Sequence, residues 1–383
     1  MKIGVIGLGT VGFGVIDILT KEKKRLEKEI NEEVTVKYGC DIHEVDLPDG
    51  IIYTKDFNDV INDEEVNVVV ELIGGTYIAK TVILKAIENG KHVVTANKAL
   101  IAHYGKEIFE AASKMNVNVF YEASVGGGIP VVVPAKECIV ANNILKIEGI
   151  LNGTTNFILT LMEKDNLDFN EALTIADGLG FVEADASLDL DGIDAAHKIS
   201  ILAMNAFKQF IDFKKVTKDG IRKVTKKDMD YAKKLGYRIK LIAQAKKLEN
   251  SIGIDVSPTL ISLKDLVANV NEAYNVVEIT CDYLNNIIFY GKGAGRYVTA
   301  SAVVGDIIKT SKKEIWKHDY KGDLEITPIT YSKYYVRSSK PLDIDYETYF
   351  SFEKDHVYIT NEIEYQSLVD QLDIDCHIFK VRG

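Results

Sequence analysis

Six residues near the amino terminus, Gly7-Leu8-Gly9-Thr10-Val11-Gly12, constrain this chain more than any other stretch. They follow Lys2–Ile6, a short apolar run of the kind that forms a buried parallel strand. They precede Val15, Ile16 and Leu19 at helical spacing. A GxGxxG alone is weak evidence, but between a strand and a helix it describes a turn built for a ligand. Gly7 permits the tight turn, Gly9 lets main chain approach a pyrophosphate, and Gly12 lets the helix pack on the strand. The helix N-terminus, with Thr10 and Val11, then faces the phosphates. A dinucleotide is the expected ligand; the alternative is a tight strand–helix turn that binds nothing.

Alternation continues beyond the fingerprint. Strands are expected at 34–42, 67–72, 92–95 and 117–121, and helices at 78–88 and 105–114. Strands alternating with helices imply a Rossmann-type, doubly wound parallel sheet whose ligand lies beyond the carboxyl ends of the strands. Those ends carry Gly74-Gly75-Thr76, Ala96-Asn97-Lys98 and Glu122-Ala123-Ser124, which puts Thr76 and Lys98 at the cofactor crevice. A carboxylate ending the second strand favours a free ribose 2′-hydroxyl. Asp41 sits there, followed by Glu44 and Asp46 with no Lys or Arg between, so NAD is favoured over NADP. Asp41 comes later than the usual ~20 residues after the fingerprint, because the first helix and its exit are long.

A chain of 383 residues is too long for one ordinary core, so two or three domains are expected. A net charge of -11 argues against a nucleic-acid partner, which selects for a basic face. Cys40, Cys138, Cys281 and Cys376 show no CxxC spacing, so neither a disulfide framework nor a zinc site is expected. The chain opens on a strand, read as the absence of a signal peptide, and contains no apolar run of membrane-spanning length. A soluble, cytoplasmic protein is expected.

The second stretch that carries chemistry runs from Gly180 to Lys198. Five carboxylates (Glu183, Asp185, Asp189, Asp191, Asp194) fall within twelve residues and lead into a helix. Asp194 and Lys198 are four apart and share a helix face. An acidic cap with an exposed ion pair would explain that pattern blandly. Against it, Ile199, Ile201, Leu202, Met204 and Phe207 leave the helix apolar on several sides, so it is expected to be buried. Charged groups at the mouth of a buried helix need partners or a purpose. Carboxylates can hold an amino-acid ammonium, and a lysine in a partly dry site can move an alcohol proton. His197 is read as a packed core residue.

These residues resemble the homoserine dehydrogenase family. The resemblance is carried by the stretches 7–14, 95–98, 121–130, 149–157, 183–198 and 291–306, roughly the first 310 residues. The block EADASLDLDGIDAAHK at 183–198 is far more specific than the glycine fingerprint. The resemblance implies that Glu183 and Asp194, with Asp189 nearby, recognise substrate. It implies Lys198 as proton donor and acceptor, Lys98 at the nicotinamide and substrate, and Gly180 and Gly295 in the cofactor cleft. It also implies a sodium ion held by the loop of Glu122, Val125, Gly127 and Ile129. Glycines in that loop could turn carbonyls toward a hard cation; a plain interdomain hinge is the other reading.

The expected organisation is a nucleotide-binding domain over 1–133, closed by 296–315, then a substrate and dimerisation α/β domain over 134–295. A divergent or truncated α+β ACT-like module is expected over 325–383, with strands at 333–337, 357–363 and 377–381. The resemblance implies this module, since larger members of the family carry a regulatory ACT domain; the glycine loop usual there is missing here, which makes threonine inhibition doubtful. The expected activity is reversible NAD(P)H-dependent reduction of L-aspartate 4-semialdehyde to L-homoserine in threonine and methionine biosynthesis, by a homodimer. The rival expectations are another amino-acid dehydrogenase and a non-catalytic nucleotide sensor.

Overall fold

The structure, a computed structural model, describes residues 1–182, 185–312, 314–372 and 376–382. The chain divides into two compact units: 1–142 with 200–213 and 291–323, and 143–199 with 214–290 and 324–383.

The first unit holds β1 (Lys2–Ile6), α1 (Thr10–Lys21), α2 (Lys23–Ile30), β2 (Thr35–Cys40), β3 (Ile52–Thr54) and α3 (Phe57–Asn62). It continues with β4 (Val68–Glu71), α4 (Tyr77–Glu88), β5 (His92–Thr95), α5 (Lys98–Met115) and β6 (Val119–Phe120). The strands line up in the order β3-β2-β1-β4-β5-β6, and every pairing is parallel. Parallel strands covered on both faces should be apolar throughout. Val68, Val69 and Val70 of β4 and Val93 and Val94 of β5 are at most 1% exposed. The order reverses between β1 and β4, and that switch point puts the ligand crevice at their carboxyl ends.

The second unit contains β7 (Ile144–Ile150), α6 (Gly153–Lys164), α7 (Phe169–Gly178), α8 (Ser187–Leu190) and the start of α9 (Ile193–Phe207). Then come β8 (Thr217–Lys218), α10 (Lys226–Lys234), β9 (Tyr237–Lys247), β10 (Ser251–Ser262), β11 (Tyr274–Cys281) and β12 (Asn285–Lys292). After α11 (Arg296–Lys309), which belongs to the first unit, the tail adds β13 (Glu325–Thr327), β14 (Tyr331–Ser338), β15 (Tyr346–Phe352) and β16 (Asp355–Thr360). It ends with β17 (Ile363–Glu364), α12 (Tyr365–Val369) and β18 (His377–Val381). Among the described residues these strands form one mixed sheet, ordered β12-β11-β7-β9-β10-β18-β14-β16-β15, with β8, β13 and β17 at its sides.

The last strand joins the tail to the rest of this sheet. β18 pairs in parallel with β10 and antiparallel with β14. Just beyond it, Arg382 is 3.0 Å from Glu148, 2.5 Å from Glu278 and 3.2 Å from Asp265. Glu148 on β7 and Glu278 on β11 are direct cross-strand partners. Like charges directly opposite are unfavourable in a sheet, and the guanidinium relieves that conflict, with Lys146 also paired to Glu148.

Several element boundaries differ from those read in the sequence. The helix expected at 105–114 begins at Lys98, because Asn97 caps it by accepting from the Leu100 N–H. The tail strands expected at 333–337 and 377–381 lie in β14 and β18, whereas 357–363 is divided between β16 and β17. The additional strand β15 has most of its residues exposed on both faces, which leaves no apolar alternation to mark it. No helix among the described residues is long and apolar enough to cross a membrane.

Candidate active site

In the first unit the fingerprint does the mechanical work its glycines suggest. Gly7 has φ +98°, and a Cβ there would stand 2.5 Å from the Leu72 main chain. A Cβ on Gly12 would stand 2.0 Å from the Gly7 carbonyl oxygen, so α1 can reach β1 this closely only with glycine. At Gly9, the N-cap of α1, a Cβ would meet nothing within 4 Å. The exposed main chain at Gly9 and Thr10 thus faces open space at a helix N-terminus, as a pyrophosphate site requires. The residues present fit a dinucleotide.

Asp41 follows β2 directly, and its carboxylate accepts from the Leu8 N–H at 2.7 Å and the His43 N–H at 3.0 Å. It therefore borders the fingerprint turn. Thr76 immediately precedes α4 and Lys98 opens α5, so both stand beyond the carboxyl ends of β4 and β5. Lys98 is half-buried.

The acidic cluster belongs to the second unit. Asn152, directly after β7, is the N-cap of α6 and accepts from the Thr155 N–H at 2.8 Å. The same amide donates to Asp189 at 2.6 Å and to Asp194 at 2.8 Å. Asp194 Oδ2 also accepts from Lys198 Nζ at 2.7 Å, and that ammonium donates again to the Leu151 carbonyl at 2.7 Å. The Asp194 and Lys198 side chains are only 6% and 11% exposed, so this is not the solvated surface pair of the bland reading. The expected burial of α9 also holds: Ala196, Ile199, Leu202 and Ala203 are fully buried. His197 is buried as well.

The cluster brings together Asp189, Asp194 and Lys198. Glu183 lies outside the described residues. Gly180 has φ +77° and faces open space, and Phe181 beside it stacks on Phe157 with ring centroids 4.2 Å apart. Gly295, in the first unit, has φ +136° and is the N-cap of α11. Asn152 escaped the sequence reading because an uncharged amide adds nothing to a charge pattern. Its available signal was the cap: an Asn just after a strand and just before a helical run.

The buried loop after β6 is organised by Glu122. Its carboxylate accepts from the N–H groups of Val131, Val132 and Val133 at 2.6, 2.8 and 2.8 Å. Its own N–H donates to Asp306 on α11 at 2.7 Å. Asp306 is 1% exposed, and burial pushes its carboxyl up to about 7. Gly126 and Gly127 turn with φ +70° and +60°. With the Glu122 carboxylate committed to main-chain N–H groups, a cation in this loop would have to be held by main-chain carbonyls. No cluster of three or more His, Cys, Asp or Glu side chains suited to a metal ion occurs among the described residues.

A dinucleotide cradle on a parallel sheet, with a carboxylate–lysine cluster on a second α/β unit, defines a nicotinamide-dependent oxidoreductase. Residues 7–122 match the family model described as the homoserine dehydrogenase NAD-binding domain, and 130–308 match the one described as homoserine dehydrogenase. The homoserine dehydrogenase of Neisseria gonorrhoeae is 43% identical over 82% of this chain and 72% of its own length. The crystal structure of a homoserine dehydrogenase from Thiobacillus denitrificans superposes with a TM-score of 0.94 at 35% identity, covering 100% of this chain and 98% of that one. A hyperthermophilic archaeal homoserine dehydrogenase mutant in complex with NADPH superposes with a TM-score of 0.69 at 27% identity, over 81% of this chain and 97% of that one. The chain belongs to the homoserine dehydrogenase family.

Proposed function

We propose that the protein catalyses the reversible reduction of L-aspartate 4-semialdehyde to L-homoserine, within threonine and methionine biosynthesis. The observation that carries this reading is the Asp194 carboxylate, nearly dry and shared between the Asn152 amide and the Lys198 ammonium. A nicotinamide held at the fingerprint would supply the hydride for the aldehyde carbon. Lys198 donates a proton to the oxygen as it gains negative charge, and Lys98 stabilises that charge electrostatically. Glu183 and Asp194, with Asp189, hold the substrate ammonium and orient the chain. In the reverse direction Lys198 takes the alcohol proton.

The dinucleotide is held by Gly7, Gly9, Thr10, Val11, Gly12 and Thr76, with Gly180 and Gly295 lining its cleft. Asp41 favours the free ribose hydroxyl of NAD. Main-chain carbonyls of Glu122, Val125, Gly127 and Ile129 are read as a sodium site that supports structure rather than chemistry. The working unit is read as a cytoplasmic homodimer, and the tail as a divergent ACT-like module.

Lys198→Ala tests the assignment. Turnover should fall about 1000-fold, while the dissociation constant for homoserine, titrated with oxidised cofactor bound, changes far less. A variant that turns over near the wild-type rate would remove Lys198 from the chemistry.

A further inference from the structure

A carboxylate that no substrate or cofactor role claims sits at the end of β4. Glu71 is fully buried, and its register partner across the parallel pairing is Thr95, the last residue of β5. Glu71 Oε1 accepts from the Ile73 N–H at 2.9 Å, and Oε2 accepts from the Thr95 hydroxyl at 2.7 Å. Thr95 Oγ1 accepts in turn from the Asn97 N–H at 3.0 Å. The Asn97 side chain then works in two directions. Its Oδ1 caps α5 through the Leu100 N–H at 3.0 Å, and its Nδ2 donates to the Gly75 carbonyl at 2.6 Å.

One acid group thus fixes two loops. The loop after β4 carries Gly74 and Gly75, both at positive φ, and leads to Thr76. The loop after β5 ends at Lys98, the first residue of α5. Burial raises the Glu71 carboxyl, opposed by the hydrogen bonds from Thr95 and from the loop main chain. A buried carboxylate is a poor choice for stability alone, since an apolar residue of similar size packs a strand end at lower cost. Groups held against that cost collect where geometry must be exact for chemistry.

We propose that Glu71 is a positioning residue that acts through Thr95 and Asn97 to set the start of α5, and with it the Lys98 ammonium. It rests on the reading that Lys98 stabilises charge at the reacting oxygen.

The test is a double-mutant cycle between Glu71→Leu and Lys98→Ala, read in kcat with saturating cofactor and substrate. Displacing a catalytic group by about an ångström costs about 100-fold, and Glu71→Leu should lose kcat on that scale. Glu71→Gln keeps an acceptor for Ile73 and a polar contact for Thr95, so it should recover most of the loss. In the Lys98→Ala background, Glu71→Leu should change kcat less than about twofold, as for two residues acting as one unit. If Glu71→Leu does not fold, Thr95→Val cuts the same relay at the hydroxyl and should show the same non-additivity. A Glu71→Leu enzyme with wild-type kcat overturns the proposal, as does a loss that multiplies in full on top of Lys98→Ala. The Lys98→Ala single variant checks the reading beneath it: a wild-type kcat there overturns both, whereas a large loss there with multiplying effects overturns only the role of Glu71.

Discussion

Asp194 and Lys198, one turn apart on α9, are joined by a 2.7 Å hydrogen bond where both side chains are almost out of water. An ion pair in that setting contributes little to stability and leaves a large penalty when one partner is removed. The pair is also not alone. Asn152 bridges Asp194 to Asp189, and the Leu151 carbonyl takes a second hydrogen bond from Lys198. The strand-to-helix turn at 151–152 therefore holds both ends of the cluster.

Asn152 separates two carboxylates by donating to each, which makes its replacement informative. Asn152→Ala should lower kcat/KM for the semialdehyde by about 10- to 100-fold, the loss of two hydrogen bonds to charged groups. Asn152→Asp keeps the cap on α6 but adds a third carboxylate, so it should be the worse enzyme although its helix stays capped. Steady-state kinetics beside thermal melts checks this, and equal activity in the two variants would contradict it.

Cofactor preference should move with Asp41. Asp41→Ser removes the carboxylate beside the fingerprint turn and should lower the NADH/NADPH ratio of kcat/KM by about 10- to 100-fold. An unchanged ratio would show that the ribose is read elsewhere.

Asp306 predicts a pH dependence. Its folded carboxyl titrates at about 7, raised by burial, against an unfolded value of about 3.9. Between those two values the folded state binds the proton more tightly, so this group's contribution to stability declines as pH rises from 4 to 7 and is level above. The size is on the order of 2–4 kcal/mol. Asp306→Asn keeps an acceptor for the Glu122 N–H and cannot ionise. Its melting temperature should exceed that of the wild type by roughly 5 °C at pH 8, with the gap closing toward pH 4. A gap that widens in acid would reverse the sign and refute the assignment.

Arg382 ties the end of the chain to the paired Glu148 and Glu278. Arg382→Ala should destabilise the second unit by about 3–5 kcal/mol, because buried Glu278 loses its counter-charge and Glu148 keeps only Lys146. Chemical denaturation measures it, and a change within about 0.5 kcal/mol, the range of ordinary surface substitutions, would contradict it.

Where function was legible in the sequence, the reason was local. The fingerprint needs glycine at particular places within six residues, and Asp194 and Lys198 reveal their shared face by a spacing of four. Chain-distant relations were not legible. Glu71 reads as a polar end to an apolar strand until β5 lies beside β4 and supplies Thr95. The tail strands could be marked, but β18 enters the sheet between β10 and β14, pairing Lys380 with the sequence-distant Thr259, and no periodicity encodes that. The early start of α5 was within reach, since Asn97 before an apolar run is a cap signal.

The most direct test of the account is oxidation of NADH and of NADPH, measured separately, by purified protein given L-aspartate 4-semialdehyde. Turnover with both is expected, faster with NADH, with L-homoserine as the product. Folded protein that binds cofactor yet oxidises neither would contradict it.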